Sequence, residues 1–113
     1  MSSLTERPQP TYYAVVFTSL RTETDAEGYQ RAAARMEELA RKQPGFLGLE
    51  STRGTNGTGI TVSYWRTRDD IAAWKRDAEH LEAQASGRRQ WYAWYRLRIA
   101  RVETDYSFGD APD

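Results

Sequence analysis

One stretch, from Gly59 to Ala85, places a strand pattern directly before a helix pattern. The run from Ile60 to Trp65 is β-branched and aromatic and follows a glycine-rich turn, which is typical of the second strand of a hairpin. Thr67 then predicts an N-cap, and apolar residues follow it at spacings of three and four. These residues are Ile71, Trp74, Ala78, Leu81 and Ala85. Strand and helix therefore each have an apolar side, and they can pack against each other.

The N-terminal half predicts a strand, a helix and a second strand. Residues from Tyr12 to Ser19 are apolar on both faces, as expected for a strand that is covered from both sides. Thr24 and Glu27 have the spacing of a capping box, so a helix is expected to begin there. After that helix, Phe46 to Thr52 predicts the first strand of the hairpin.

The C-terminal part predicts an aromatic segment and then a long strand. We expect Arg88 to Tyr95 to be a short helical or irregular segment, and Arg96 to Tyr106 to be the strand. The alternation of that strand changes phase between Ile99 and Ala100. A phase change predicts a β-bulge, or a strand whose two halves face different layers.

The order of elements predicts the fold class. A β-α-β-β-α-β order is that of the ferredoxin-like α+β fold, in which both helices cover one face of a four-stranded antiparallel sheet. The other face is also predicted to be apolar, from Tyr12, Ala14, Val16, Leu47, Leu49 and Trp65. Soluble proteins seldom expose an apolar patch of that size, so we expect two copies to pack sheet on sheet as a homodimer.

Length and charge limit the classes of protein that are possible. The chain has 113 residues, which predicts one domain over 12–108, a flexible arm over 1–11 and a tail over 109–113. Its 16 basic and 16 acidic side chains cancel, so we expect neither nucleic acid nor a membrane as partner. No signal-peptide pattern and no long apolar run is present, which predicts a soluble, cytoplasmic protein.

Four segments together resemble a known family. They are Pro44 to Gly48, Tyr64 to Thr67, Ile71 to Trp74, and Glu79 with His80. In these segments the chain resembles the antibiotic biosynthesis monooxygenases, dimeric ferredoxin-like α/β barrels, and the resemblance spans Tyr12 to Tyr106. It implies a homodimer with a pocket between the sheet and the helices of each subunit. Some relatives oxidise polycyclic aromatic phenols with dioxygen and no metal or flavin, others degrade heme, and others have no assigned activity.

The heme-degrading branch is matched only in part. Trp65 and Trp74 have the nine-residue spacing of two tryptophans in those enzymes. Gln84, however, stands where the resemblance places the iron-ligating histidine, and an amide is a poor substitute for imidazole. The first strand also has only Thr18 and Ser19 near the place of a catalytic asparagine. The chain is therefore expected to work without a bound cofactor, with heme as the alternative.

The candidate site follows from the resemblance together with residue chemistry. His80, the one histidine, titrates in the range of a general base, and Trp74 is the second candidate catalytic residue. Gln84 can donate to a substrate oxygen. The expected substrate-binding residues are Tyr13, Phe17, Tyr64, Trp65 and Gln84. One histidine and no cysteine give no spacing typical of a metal site.

Each candidate also has a purely structural interpretation. His80 beside Asp77 can be a solvated helix residue, and Trp74 at the centre of an apolar stripe can be a core residue. On that interpretation the protein is a dimer that binds a hydrophobic small molecule without changing it. Dioxygen uptake with a phenol distinguishes the two functions, because a binding protein consumes nothing.

Overall fold

Seven elements follow one another in a computed structural model that describes residues 9–85 and 88–110, without the side chains of 80–85, 88 and 89. They are β1 (Tyr12–Arg21), α1 (Ala26–Arg41), β2 (Phe46–Arg53), β3 (Thr58–Trp65), α2 (Arg68–Ala85), α3 (Arg88–Trp91) and β4 (Tyr92–Val102). Apart from the short α3, this is the predicted β-α-β-β-α-β order, and the ferredoxin-like α+β fold is confirmed.

The four strands form one antiparallel sheet in the order β2-β3-β1-β4. Tyr13 of β1 lies opposite Trp65 of β3, and Val15 lies opposite Ser63. Because side chains alternate along a strand, the odd-numbered residues of β1 share one face with Trp65 and Ser63. We call this the helix-facing side, and the opposite face the outer face.

Both helices cover the helix-facing side. Its buried core consists of Val15 of β1, Trp65 of β3, Ala40 of α1 and Ile71 of α2. Trp65 has an exposed fraction of 0%, so the tryptophan at the end of β3 is the centre of this core. The predicted stripe of α2 is confirmed where its side chains are described: Ile71 and Ala78 are buried and Trp74 is partly buried.

The two predicted helix starts have different outcomes. Thr67 caps α2 as predicted, since its hydroxyl oxygen accepts from the Asp70 amide at 3.0 Å. At α1 the cap is Asp25 rather than Thr24, and its carboxylate accepts from the Gly28 amide at 3.1 Å. Asp25 has φ 51°, a left-handed conformation that aspartate tolerates better than most residues. The predicted capping box at Thr24 is therefore wrong by one residue.

The last strand also differs from the prediction. β4 begins at Tyr92 and ends at Val102. Its start and its end each lie four residues earlier in the chain than predicted. Its pairing with β1 is regular across Ile99 and Ala100, so the bulge predicted there is wrong. The irregularity lies instead where Leu20 and Arg21 pair with β4.

The outer face has a different composition from the prediction, and it carries Arg96 and Arg98 beside its apolar residues. Trp65 and Leu49 belong to the helix-facing side, because they pair in register with Tyr13 and Ser63. The large apolar side chains that the outer face exposes are Leu20, Ile60 and Trp94, at 38%, 40% and 46%. Within the residues that the structure describes, no helix is long and apolar enough to cross a membrane.

Candidate functional site

Two tryptophans form the centre of the helix-facing side. The rings of Trp65 and Trp74 lie 5.3 Å apart between centroids, and Phe46 meets Trp65 edge on at 5.4 Å. The Trp65 indole N–H donates to the Ser63 hydroxyl at 2.8 Å. Trp65 is therefore fully buried and hydrogen-bonded, while Trp74 presents a partly buried ring from α2.

A second aromatic group, which we call the Tyr29 cluster, lies towards the C-terminal end of β1. Phe17 packs against Tyr92 and Tyr95, with centroids 5.5 and 5.2 Å away. Tyr29 of α1 meets Trp91 at 6.0 Å and Tyr92 at 5.8 Å, both edge on. The cluster consists of Phe17, Tyr29, Trp91, Tyr92 and Tyr95. The short α3 brings Trp91 into it.

Two arginines approach the Tyr29 ring. The guanidinium carbon of Arg21 lies 3.6 Å from the ring centroid, and its Nε donates to the Trp91 carbonyl at 3.1 Å. Arg53 is farther from the ring, at 5.5 Å, and donates to the Tyr29 hydroxyl at 2.8 Å and to the Gly57 carbonyl at 3.1 Å. Stacking on tyrosine is a common way to hold a guanidinium plane in position.

Several buried polar atoms near these rings have no hydrogen-bond partner among the described residues. They are Ser19 Oγ, Arg21 Nη2, Trp74 Nε1 and Trp91 Nε1. Leaving such a group unpaired costs about 1–3 kcal/mol, and native proteins contain few of them. All four belong to residues of the helix-facing side or of the Tyr29 cluster next to it. A ligand carrying oxygen atoms is the kind of molecule that satisfies this arrangement.

The structure brings together four of the predicted site residues. Tyr13, Phe17 and Trp65 share the helix-facing side of the sheet, and Trp74 packs over it from α2. Phe17 is four residues along β1 from Tyr13 and belongs to the Tyr29 cluster, whereas the two tryptophans do not. His80 and Gln84 belong to α2, but their side chains lie outside the described residues.

Tyr64 lies on the outer face, away from the other candidates. It pairs in register with Ala14, meets the Tyr12 ring edge on at 5.9 Å and donates its hydroxyl to Glu50. Burial, and then the hydrogen bond to the Glu50 carboxylate, raises the pKa of Tyr64 above its ordinary value. The hypothesis that Tyr64 lines one pocket with Tyr13 and Trp74 therefore does not fit this geometry.

Sequence reasoning missed Ser19, Arg21, Tyr29 and Trp91 as a group. A signal for the first two was present, since Phe17, Ser19 and Arg21 are spaced two apart on one strand and must share a face. Tyr29 and Trp91 are not among the candidates that the sequence indicates. Nothing local in the sequence indicates that α3 packs against α1.

The fold and this side of the sheet define the class of protein. It is a small ferredoxin-like α+β domain whose sheet and helices enclose aromatic rings and unpaired donors. The chain belongs to the antibiotic biosynthesis monooxygenase family, whose model matches residues 11–86.

Individual proteins are similar to this chain in sequence or in fold. The chain is 47% identical over 108 residues to the uncharacterized protein YqjZ of Bacillus subtilis, covering 96% of this chain and 94% of that one. Its fold is similar to that of SnoaB, a cofactor-independent oxygenase from Streptomyces nogalater, with TM-score 0.60, 13% identity and 88% and 99% of the chains covered. It is also similar to a dimeric ferredoxin-like protein of unknown function from Thermobifida fusca, with TM-score 0.60, 11% identity and 85% and 95% covered.

Proposed function

We propose that this protein is a small monooxygenase that oxidises an aromatic, phenolic small molecule with dioxygen and without a bound cofactor. The observation that carries the proposal is the set of unpaired polar atoms beside aromatic rings between the sheet and the helices. Flat apolar rings suit the body of a polycyclic phenol, and the donors suit its oxygen atoms. Membership of the monooxygenase family and the fold shared with SnoaB support the same reaction class.

In this reaction the protein only has to bind the substrate and remove a proton from it. Loss of the phenolic proton gives an anion with carbanion character at an activated ring carbon, and this carbon reduces dioxygen. A C–O bond forms, the resulting hydroperoxide loses water, and a CH₂ group has become C=O. One oxygen atom enters the product and the other leaves as water, so no further reductant is needed. Donors that stabilise the anion lower the barrier to this step.

Roles follow for the residues near the two tryptophans. Trp74 offers an unpaired indole N–H to a substrate oxygen, and Tyr13 and Phe17 offer ring surface. Trp65, at 0% exposure, supports Trp74 rather than touching the substrate. In this proposal His80 accepts the phenolic proton and Gln84 donates to a substrate oxygen, as the sequence predicts.

The test is dioxygen uptake with 1,8-dihydroxyanthrone as the probe, a phenol with an activated CH₂ group. Metal-free protein without added cofactor should consume one dioxygen per molecule of anthraquinone formed, well above the protein-free rate. The variants His80→Ala and Trp74→Phe should lose most of this activity. Full activity of the histidine variant would remove His80 from the mechanism, while the proposed reaction would still stand.

A binding protein gives a different result in the same experiment. It would quench tryptophan fluorescence on adding the anthrone, because four tryptophans are present, but would consume no dioxygen. That outcome would overturn the proposed reaction and leave a protein that sequesters a hydrophobic molecule. A hemin titration completes the test, since a saturable Soret shift at one heme per subunit would instead support the heme-degrading branch.

We further propose that the outer face forms a homodimer interface. Leu20, Ile60 and Trp94 expose large apolar surfaces there, and the similar protein from Thermobifida fusca is dimeric. Light scattering after gel filtration should give a dimer that becomes a monomer in Ile60→Glu and Trp94→Glu. Ile99→Glu is the matched control, because Ile99 is 45% exposed but lies on the helix-facing side of β4. A wild-type monomer would overturn the proposal.

A further inference from the structure

We propose that Arg21, Ser19 and Trp91 form a binding site for the carboxylate group of an aromatic small molecule. The site lies at the C-terminal end of β1 and shares Trp91 with the Tyr29 cluster. The inference rests on the proposed function for the aromatic class of the ligand. It does not depend on whether that ligand is oxidised, so binding and turnover can be tested separately.

Arg21 is held in place by neutral groups, and no carboxylate of the part of the chain that the structure describes neutralises it. Tyr29 stacks on its guanidinium at 3.6 Å, and the Trp91 carbonyl accepts from its Nε at 3.1 Å. No carboxylate of the described residues pairs with it, and its buried Nη2 has no partner there. A partly buried positive charge without a counter-ion is costly, and a ligand anion removes that cost.

Two further buried donors belong to residues next to Arg21 in the fold. Ser19 precedes Arg21 by two residues on the same face of β1, about 7 Å away between Cα atoms. The residue is only 1% exposed, and its hydroxyl has no partner among the residues that the structure describes. Trp91, 5% exposed, adds an unpaired indole N–H, and its carbonyl already holds Arg21. Arginine and indole can only donate, so the group favours an anionic oxygen ligand over an amine or a cation.

The neighbouring side chains indicate what the anion is attached to. Three rings lie beside the donors, those of Phe17, Tyr29 and Tyr92. The Tyr92 centroid is 5.5 Å from that of Phe17 and 5.8 Å from that of Tyr29. A single arginine with two neutral donors matches the single charge of a carboxylate better than the double charge of a phosphate. An aryl carboxylate places its charge at Arg21 and its ring against these aromatic side chains.

The experiment is calorimetric titration of the full-length protein with 1-naphthoate under anaerobic conditions. The neutral isostere 1-naphthamide is the control ligand. We expect one naphthoate per subunit, bound about 10-fold or more tightly than the amide, because a hydrogen bond to a charged group is stronger than a neutral one. Arg21→Gln should remove this preference and leave the affinity for the amide nearly unchanged.

Matched variants separate the site from general effects on folding. Arg53→Gln removes an arginine that reaches the same tyrosine but is exposed and already donates from both Nη atoms, and it should keep the preference for naphthoate. Ser19→Ala and Trp91→Phe should each weaken naphthoate binding about 3- to 10-fold. If Arg21→Gln does not fold, these two variants decide the question. Equal affinities for the two ligands, no binding, or equal losses in the Arg21 and Arg53 variants would overturn the proposal. Failure of anthrone oxidation alone would not overturn the proposed carboxylate site.

Discussion

The rings of Trp65 and Trp74 lie 5.3 Å apart, yet only one of their indole N–H groups is hydrogen-bonded within the described residues. Trp65 donates to Ser63, whereas Trp74 Nε1 has no partner. Two neighbouring residues of one type therefore have different functions. Trp65 stabilises the core, and Trp74 is available to a ligand.

This difference predicts that the same substitution lowers stability by different amounts at the two positions. Trp65→Phe should lower the free energy of unfolding by roughly 2–3 kcal/mol, because it leaves a cavity and an unpaired Ser63 hydroxyl. Trp74→Phe should cost less than about 1 kcal/mol, since it removes a donor that was already unpaired. Urea unfolding measures both values. Anthrone binding, followed by fluorescence, should be weakened in the Trp74 variant, and equal stability losses would contradict this interpretation.

A second pair of matched residues is found on the helix-facing side, Ser19 and Ser63. Both are buried, at 1% and 7% exposure, but among the described residues only Ser63 has a hydrogen-bond partner for its hydroxyl. Ser63→Ala should therefore destabilise the protein by about 1–2 kcal/mol. Ser19→Ala should leave the free energy of unfolding unchanged or raise it by up to about 1 kcal/mol. A loss of stability at Ser19 equal to that at Ser63 would indicate a hydroxyl used by the fold itself.

The fold could be predicted from the sequence because each element has its own periodic pattern. Ile71, Trp74 and Ala78 alone specify a helix with one apolar side, and the glycine-rich turn joins β2 to β3. The start of β4 could not be predicted in the same way. It depends on pairing with Leu20 and Arg21, more than 70 residues earlier in the chain. Local alternation contains no information about such long-range pairing.

The candidate site was predictable only in part, for a related reason. Alternation assigns residues to two faces but does not say which face the helices cover. Tyr64 and Trp65 are adjacent in β3, so they point to opposite faces and could never line one pocket together. The Tyr29 cluster depends on α1, α3 and β1 meeting in space. His80 stays a prediction, and it is off the series of positions 71, 74 and 78.

The corrected helix caps give a third prediction. Thr67→Ala should cost about 1 kcal/mol of stability, because the Asp70 amide loses its acceptor. Thr24→Ala is the matched control and should be nearly neutral, since the α1 cap is Asp25. Asp25→Asn should be mild, because asparagine also caps helices and tolerates a positive φ. A cost at Thr24 equal to that at Thr67 would restore the predicted capping box.

Tyr64 gives the last prediction, on the pH dependence of stability. Its pKa is raised in the folded state by burial and by its hydrogen bond to Glu50, so the folded protein keeps this proton where the unfolded chain loses it. The contribution of Tyr64 to the free energy of unfolding is fully present below pH 10.0, the ordinary pKa of tyrosine, and is lost progressively above it. Solvent screening keeps the slope of the unfolding free energy against pH below the limit for one proton, about 1.4 kcal/mol per pH unit.

Urea unfolding between pH 8 and 11 measures this effect. The free energy of unfolding of Tyr64→Phe should decline less steeply above pH 10.0 than that of the wild type. Tyr106→Phe is the control, because Tyr106 is 86% exposed and its loss should leave the slope of the wild type unchanged.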